Sequence, residues 1–116
     1  MKIYNKLVRD NIPEIIRQDG FQCETEVLER SEYMDKLNQK LKEELEEYFT
    51  VNNDTRFNFY LEELVDLVEV IYAILDFKGI SIEEFEKIRI SKKEEKGGFK
   101  KRLLLARAGK SVEANG

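Results

Sequence analysis

Two short groups of acidic residues have the types and spacing that divalent-metal chemistry requires. Residues 43–47 read Glu-Glu-Leu-Glu-Glu, and residues 63–66 read Glu-Leu-Val-Asp. Within each group two acids stand three residues apart, which places them on one face of a helix. If the two helices pack side by side, four carboxylates converge, those of Glu44, Glu47, Glu63 and Asp66. Because such a cluster repels itself unless cations neutralise it, and hard oxygen ligands suit Mg²⁺ or Mn²⁺, the pattern indicates a metal-dependent enzyme acting on phosphates.

Each acidic group also has a simpler interpretation. A run of charges such as 43–47 usually forms a helix face turned to water. The second group is harder to explain in that way, because Glu63 and Asp66 lie within the most apolar segment of the chain. A buried carboxylate without a partner costs several kcal/mol in desolvation, so a lysine, an arginine or a metal must neutralise it. Taken together, the two groups favour a metal.

Basic residues supply the positive charge that binding of a phosphate substrate requires. Lys93 and Lys96 precede Gly97-Gly98, where backbone amides can approach an anion closely. Lys6 and Arg9 form a second basic site near the N-terminus. The alternative for the first site is a solvated turn, and for the second a salt bridge or an exposed pair.

Hydrophobic periodicity predicts the elements that position these residues. Apolar residues recur at helical steps from Met34 to Tyr48, and the segment 59–77 is apolar on most sides. Ser81 begins a capping-box pattern that opens a further helix. We therefore predict a mainly α fold, a helical bundle, with a small two-stranded antiparallel sheet that pairs residues 21–28 with 100–106. We expect one domain over residues 1–107 and a flexible tail over 108–116.

Composition excludes several classes of function. A net charge of −4 argues against a nucleic-acid binder. The chain has no histidine, which excludes Ser-His or Cys-His catalysis and a histidine-bound zinc. No apolar run reaches eighteen residues, so we expect no membrane span. The single Cys23 fits a reducing compartment, and we predict a cytoplasmic location.

The two acidic groups together resemble the hallmark of the all-α nucleoside triphosphate pyrophosphohydrolases of the MazG-like superfamily, EExxE followed by ExxD. The N-terminal segment 4–16 and the later Lys96-Gly97-Gly98-Phe99 further resemble its phosphoribosyl-ATP pyrophosphohydrolase-like branch. The resemblance covers nearly the whole chain.

The resemblance implies a helical bundle that binds Mg²⁺, or alternatively Mn²⁺, between the two acidic helices. The implied metal ligands are Glu44, Glu47, Glu63 and Asp66, and Glu43 matches the first acid of the motif. The implied reaction is attack by a metal-activated water on the α-phosphorus of a nucleotide, which releases a monophosphate and pyrophosphate. Lys93 and Lys96, followed by Lys6 and Arg9, are the candidates for phosphate contacts. Enzymes of this kind usually form oligomers, and we expect a homo-oligomer, with a dimer favoured.

Three functions remain open at this point. The first is a metal-dependent nucleotide pyrophosphohydrolase that clears unwanted nucleotides. The second is a phosphoribosyl-ATP pyrophosphohydrolase of histidine biosynthesis, although the terminal motifs of the chain do not look like those of that enzyme. The third is a non-catalytic helical interaction module whose acids pair with its lysines.

Overall fold

The computed structural model describes residues 2–51 and 57–111, with the side chains of 57–59 excepted. Its elements are four helices: α1 (Ile12–Gln18), α2 (Arg30–Val51), α3 (Phe57–Phe77) and α4 (Ile82–Lys96). The prediction of a mainly α fold is confirmed. The chain divides into two compact units, Met1–Ile82 and Glu83–Gly116.

Helices α2 and α3 pack against each other and form the core of the first unit. Leu37 of α2 and Val70 and Leu75 of α3 are buried between them. The periodicity of α2 therefore predicted both the helix and its inward face. Helix α3 is covered on one face only, because Leu61 and Val68 on its other side remain about two-fifths exposed, at 41% and 42%.

Helix α3 ends where the sequence provides a glycine. Gly79 has a φ of +73°, a conformation in which a Cβ atom is strained. The amide of Ile80 donates a hydrogen bond to the carbonyl of Leu75, and the amide of Gly79 donates to that of Asp76. These bonds satisfy carbonyls that the helix end would leave without partners.

The start of α2 is fastened to the end of α3 by side chains. The guanidinium of Arg30 lies 4.2 Å from the centroid of the Phe77 ring, and its Nη2 donates to the Phe77 carbonyl. Tyr33 meets the same ring edge to face at 5.7 Å. These contacts fix the two helices at one end, which sets the register of the acidic residues further along.

The predicted small sheet is wrong. Residues 21–28 and 100–106 contain no strand, and the described part of the chain contains none elsewhere. Phe21 and Val27, two apolar residues of the expected strand, are 70% and 100% exposed. The alternation in 21–28 lacks an apolar surface to cover it, and an isolated pair of strands is marginally stable in water.

The second unit consists of α4 from Glu83 onward and the segment that follows this helix. Gly97 ends α4 with a φ of +83°, and its amide donates to the carbonyl of Lys93. Residues 103–111 have no regular structure and are exposed. The predicted tail begins within this segment, and its last part, 112–116, lies outside the described residues. The single domain over residues 1–107 stays a prediction.

None of the helices within the described ranges is long and apolar enough to span a membrane.

Candidate metal and phosphate site

The facing sides of α2 and α3 bring acidic side chains together. Carboxylate oxygens of Glu44, Glu63 and Asp66 all lie within 4.8 Å of one another. Oxygens of Glu43, Glu44 and Glu47 form a second group within the same distance. Glu44 belongs to both groups and therefore joins the two acidic motifs. Distances of this size suit several carboxylates that share one cation.

Glu44 is the buried member of this cluster. The residue is only 5% exposed, and its Oε2 atom has no hydrogen-bond partner among the described residues. Oε2 of Glu63 is likewise buried and without a partner. Two buried carboxylate oxygens without partners are costly unless a cation neutralises them. The donor set consists only of oxygen atoms, which fits a hard divalent cation such as Mg²⁺ or Mn²⁺.

The raised pKa of Glu63 shows that a negative charge is unfavourable at this position in the metal-free protein. Burial and the neighbouring carboxyl group of Glu47 raise the pKa of Glu63 from 4.5 to about 7, with further contributions from Glu44 and Asp66. Burial and the negative charge of Glu47 also raise the pKa of Glu44, although Lys40 opposes this shift. The cluster thus holds more negative charge than its surroundings neutralise.

Three basic side chains neutralise the edges of the cluster. Nζ of Lys6 lies 3.1 Å from Oε1 of Glu43, and Nη2 of Arg9 lies 2.5 Å from Oδ1 of Asp66. Nζ of Lys40 lies 3.4 Å from Oε1 of Glu43 and 3.3 Å from Oε1 of Glu44. Burial alone raises the pKa of Glu43, but Lys6 and Lys40 outweigh it, and the pKa of this carboxyl is lowered.

The N-terminal segment lies along the helix pair and carries two of these cations. Nζ of Lys36 on α2 donates to the carbonyl of Asn5, which holds the segment against α2 beside Lys6. Arg9 then reaches Asp66 on α3. A cleft of about 290 Å³ opens next to this ion pair, and it is lined by Arg9, Leu61, Glu62, Val65 and Asp66. The cleft offers an open approach to one side of the acid cluster.

Lys40 was not among the site residues predicted from the sequence. Lys40 precedes Glu43 by three residues and Glu44 by four, which is the spacing of side-chain neighbours on a helix. That spacing was a usable signal. Lys6 and Arg9 were candidates for phosphate contacts, with a salt bridge as the alternative, and in the structure each of them forms an ion pair with an acid of the cluster.

Lys93 and Lys96 belong to the second unit, in the last turn of α4. Both are exposed. Their assignment to substrate phosphates stays a prediction, as do the ligand roles of Glu44, Glu47, Glu63 and Asp66 and the role of Glu43.

The helical fold and the paired acidic motifs define a class of protein, the all-α pyrophosphohydrolases. A family model described as phosphoribosyl-ATP pyrophosphohydrolase matches residues 8–93, and the chain belongs to this family. The resemblance to the MazG-like superfamily is thereby confirmed. The protein is a nucleotide pyrophosphohydrolase, a hydrolase of phosphoric anhydride bonds, in a family that depends on metal ions. No curated protein and no solved structure matches the chain.

Proposed function

We propose that the protein is a Mg²⁺-dependent pyrophosphohydrolase that cleaves a nucleoside triphosphate, or a related nucleotide, to the monophosphate and pyrophosphate. In this proposal it removes unwanted nucleotides from the cell. One observation carries the metal part of the proposal: the buried oxygens of Glu44 and Glu63 that have no partner, beside Asp66.

A cation explains these oxygens better than the protein's own basic residues do. Lys40 contacts Oε1 of Glu44 and leaves Oε2 without a partner. Arg9 contacts one oxygen of Asp66. No ion pair within the described ranges reaches Glu63, and without a neighbouring cation the pKa of this carboxyl is raised to about 7. A divalent cation bound by Glu44, Glu47, Glu63 and Asp66 would stabilise the charged form of all four acids.

The bound metal would supply Lewis acidity, which neutralises phosphate oxygens and makes water more acidic. The protein's residues do the remaining work. The cluster fixes the position at which the polyphosphate meets the attacking water. A carboxylate of the cluster that does not bind the metal would orient or deprotonate the attacking water. Glu43 anchors Lys6 and Lys40 at the edge of the cluster.

Phosphate binding requires positive charge beyond the metal. Arg9 faces the cleft and stands beside Asp66, and Lys6 stands beside Glu43, so both lie within the first unit at the acid cluster. We propose that they contact the polyphosphate when a metal neutralises the acids. Lys93 and Lys96 in the second unit are proposed as further phosphate contacts, because Lys96 directly precedes Gly97-Gly98 and the side chain of Lys93 lies close to Gly98.

The family description favours one alternative substrate, phosphoribosyl-ATP. The chemistry would be the same, since the bond cleaved joins the α- and β-phosphates in both cases. The proposal of a non-catalytic interaction module is set aside, because the chain belongs to a family of hydrolases. A homo-oligomer, with a dimer favoured, and a cytoplasmic location complete the proposal.

The test is a panel of nucleoside triphosphates together with phosphoribosyl-ATP, each incubated with Mg²⁺ and resolved by chromatography. We expect a monophosphate and pyrophosphate from one or more triphosphates. Asp66→Asn, which removes a ligand charge at almost constant size, should abolish turnover. Turnover of phosphoribosyl-ATP alone would establish the alternative. Release of orthophosphate instead of pyrophosphate would refute the α-phosphorus mechanism.

A further inference from the structure

Lys40 occupies a position at the metal site that neither acidic motif includes. Its Nζ atom bridges Oε1 of Glu43 and Oε1 of Glu44, at 3.4 Å and 3.3 Å. The Lys40 side chain is 19% exposed and that of Glu44 only 7% exposed. This ion pair is therefore more deeply covered than those of Lys6 and Arg9, which are 42% and 53% exposed.

The two carboxylate oxygens of Glu44 have different surroundings. Oε1 accepts the contact from Lys40, whereas Oε2 is buried and has no partner. Glu44 is also the residue common to both acidic groups. A covered ion pair is less screened than an exposed one and so restrains the carboxylate more firmly. The orientation of Glu44 thus depends on a residue that itself offers no ligand atom.

We infer that Lys40 is a positioning residue for the metal site: it holds Oε1 of Glu44 and thereby fixes Oε2 as the oxygen presented to the cation. Outer partners of this kind orient a ligand without touching the metal, and their loss commonly weakens metal binding by about 10- to 100-fold. The inference rests on the proposed function, because it requires that Glu44 is a ligand.

The direction in which Mn²⁺ affinity changes when Lys40 is replaced distinguishes a positioning role from simple charge neutralisation. If Lys40 only neutralised the cluster, its removal would leave more negative charge and Mn²⁺ would bind more tightly. If Lys40 positions Glu44, its removal lets the carboxylate rotate away and Mn²⁺ binds more weakly. The two roles therefore predict opposite changes in affinity.

The experiment is calorimetric titration of the metal-free full-length protein with Mn²⁺, without nucleotide. Lys40→Met keeps the length of the side chain and removes its charge, and we expect the affinity to fall by about 10-fold or more. Lys40→Arg keeps the charge and the donors, and we expect it to restore most of the affinity. Lys42→Met is the matched control, since the described contact of Lys42 is an exposed pair with Glu46 on the same helix, at 3.9 Å. We expect no change in that control.

Circular dichroism establishes that each variant is folded, and Lys40→Gln serves as a second neutral variant. Unchanged or tighter binding in a folded neutral variant would overturn the inference and leave the metal site intact. Loss of folding in both neutral variants would also overturn it, because Lys40 would then be a structural residue. A wild-type protein that binds no Mn²⁺ would instead refute the metal site itself.

Discussion

Nη2 of Arg9 donates to Oδ1 of Asp66 at 2.5 Å, so the N-terminal segment places a cation against one of the acids proposed to bind metal. Asp66 also lies within 4.8 Å of oxygens of Glu44 and Glu63. A divalent metal bound by Asp66 would therefore compete with the guanidinium group for this carboxylate. Arg9 neutralises Asp66 in the metal-free protein, and release from Asp66 would free it for a phosphate.

We predict that Arg9→Met has opposite effects on metal and on substrate. Metal affinity should rise by a few-fold, since the pair is half exposed and is worth on the order of 0.5–1 kcal/mol. The value of kcat/KM should fall because a phosphate contact is lost. Mn²⁺ calorimetry and steady-state kinetics measure the two effects. Arg17→Met, on α1 and outside the cluster, is the control. Weaker metal binding in Arg9→Met would show that Arg9 does not compete with the cation.

We predict that the metal-free protein loses stability as pH rises from about 4.5 to about 7. The unfolded Glu63 carboxyl releases its proton near 4.5, whereas the folded one retains it up to a pKa of about 7. The folded state binds more protons over this interval, and stability falls as pH increases. Melting temperatures across the interval test this.

The matched variant is Glu63→Gln, which cannot titrate at this position. Its melting temperature should fall less than that of the wild type between the same two pH values. Saturating Mg²⁺ should remove most of the wild-type loss, because the metal stabilises the charged carboxylate. Equal slopes in the two proteins would mean that Glu63 does not titrate with a raised pKa.

The sequence predicted the elements that carry the acids better than it predicted their environment. The apolar periodicity of α2 and the long apolar segment of α3 predicted both helices. Each pattern indicates an apolar helix face that must be covered by another part of the protein. The alternation in 21–28 failed as a strand signal, since no third strand or apolar surface supports it. Spacing placed acids on helix faces, but spacing alone does not show that Glu44 is buried or that Lys40 reaches it.

We predict that charge at Lys93 and Lys96 matters for substrate use and not for metal binding. Lys93→Ala and Lys96→Ala should each lower kcat/KM. The expected loss corresponds to roughly 1.5–3 kcal/mol of transition-state stabilisation, the value of a charge-assisted contact. Mn²⁺ affinity without nucleotide should stay at the wild-type value. Lys87→Ala, on the same helix, is the control. Unchanged kinetics in both variants would leave Lys6 and Arg9 as the phosphate-binding candidates.

We predict that the protein forms a homo-oligomer through the uncovered side of α3. Leu64 and Val68, which do not line the cleft beside Arg9, are 39% and 42% exposed, and a second copy would cover them. Light scattering coupled to size exclusion should give at least twice the monomer mass. Val68→Glu should reduce that mass to the monomer, whereas Val27→Glu, at a fully exposed position, should not. A monomeric wild type would exclude this interface.

The metal site is tested most directly by anomalous diffraction from crystals of the protein grown with Mn²⁺. We expect one or more peaks between α2 and α3, within coordination distance of carboxylate oxygens of Glu44, Glu63 and Asp66. Arg9 should no longer contact Asp66 in that structure. Mn²⁺ bound only at other acidic residues, such as Glu83 and Glu84 in the first turn of α4, would contradict the account.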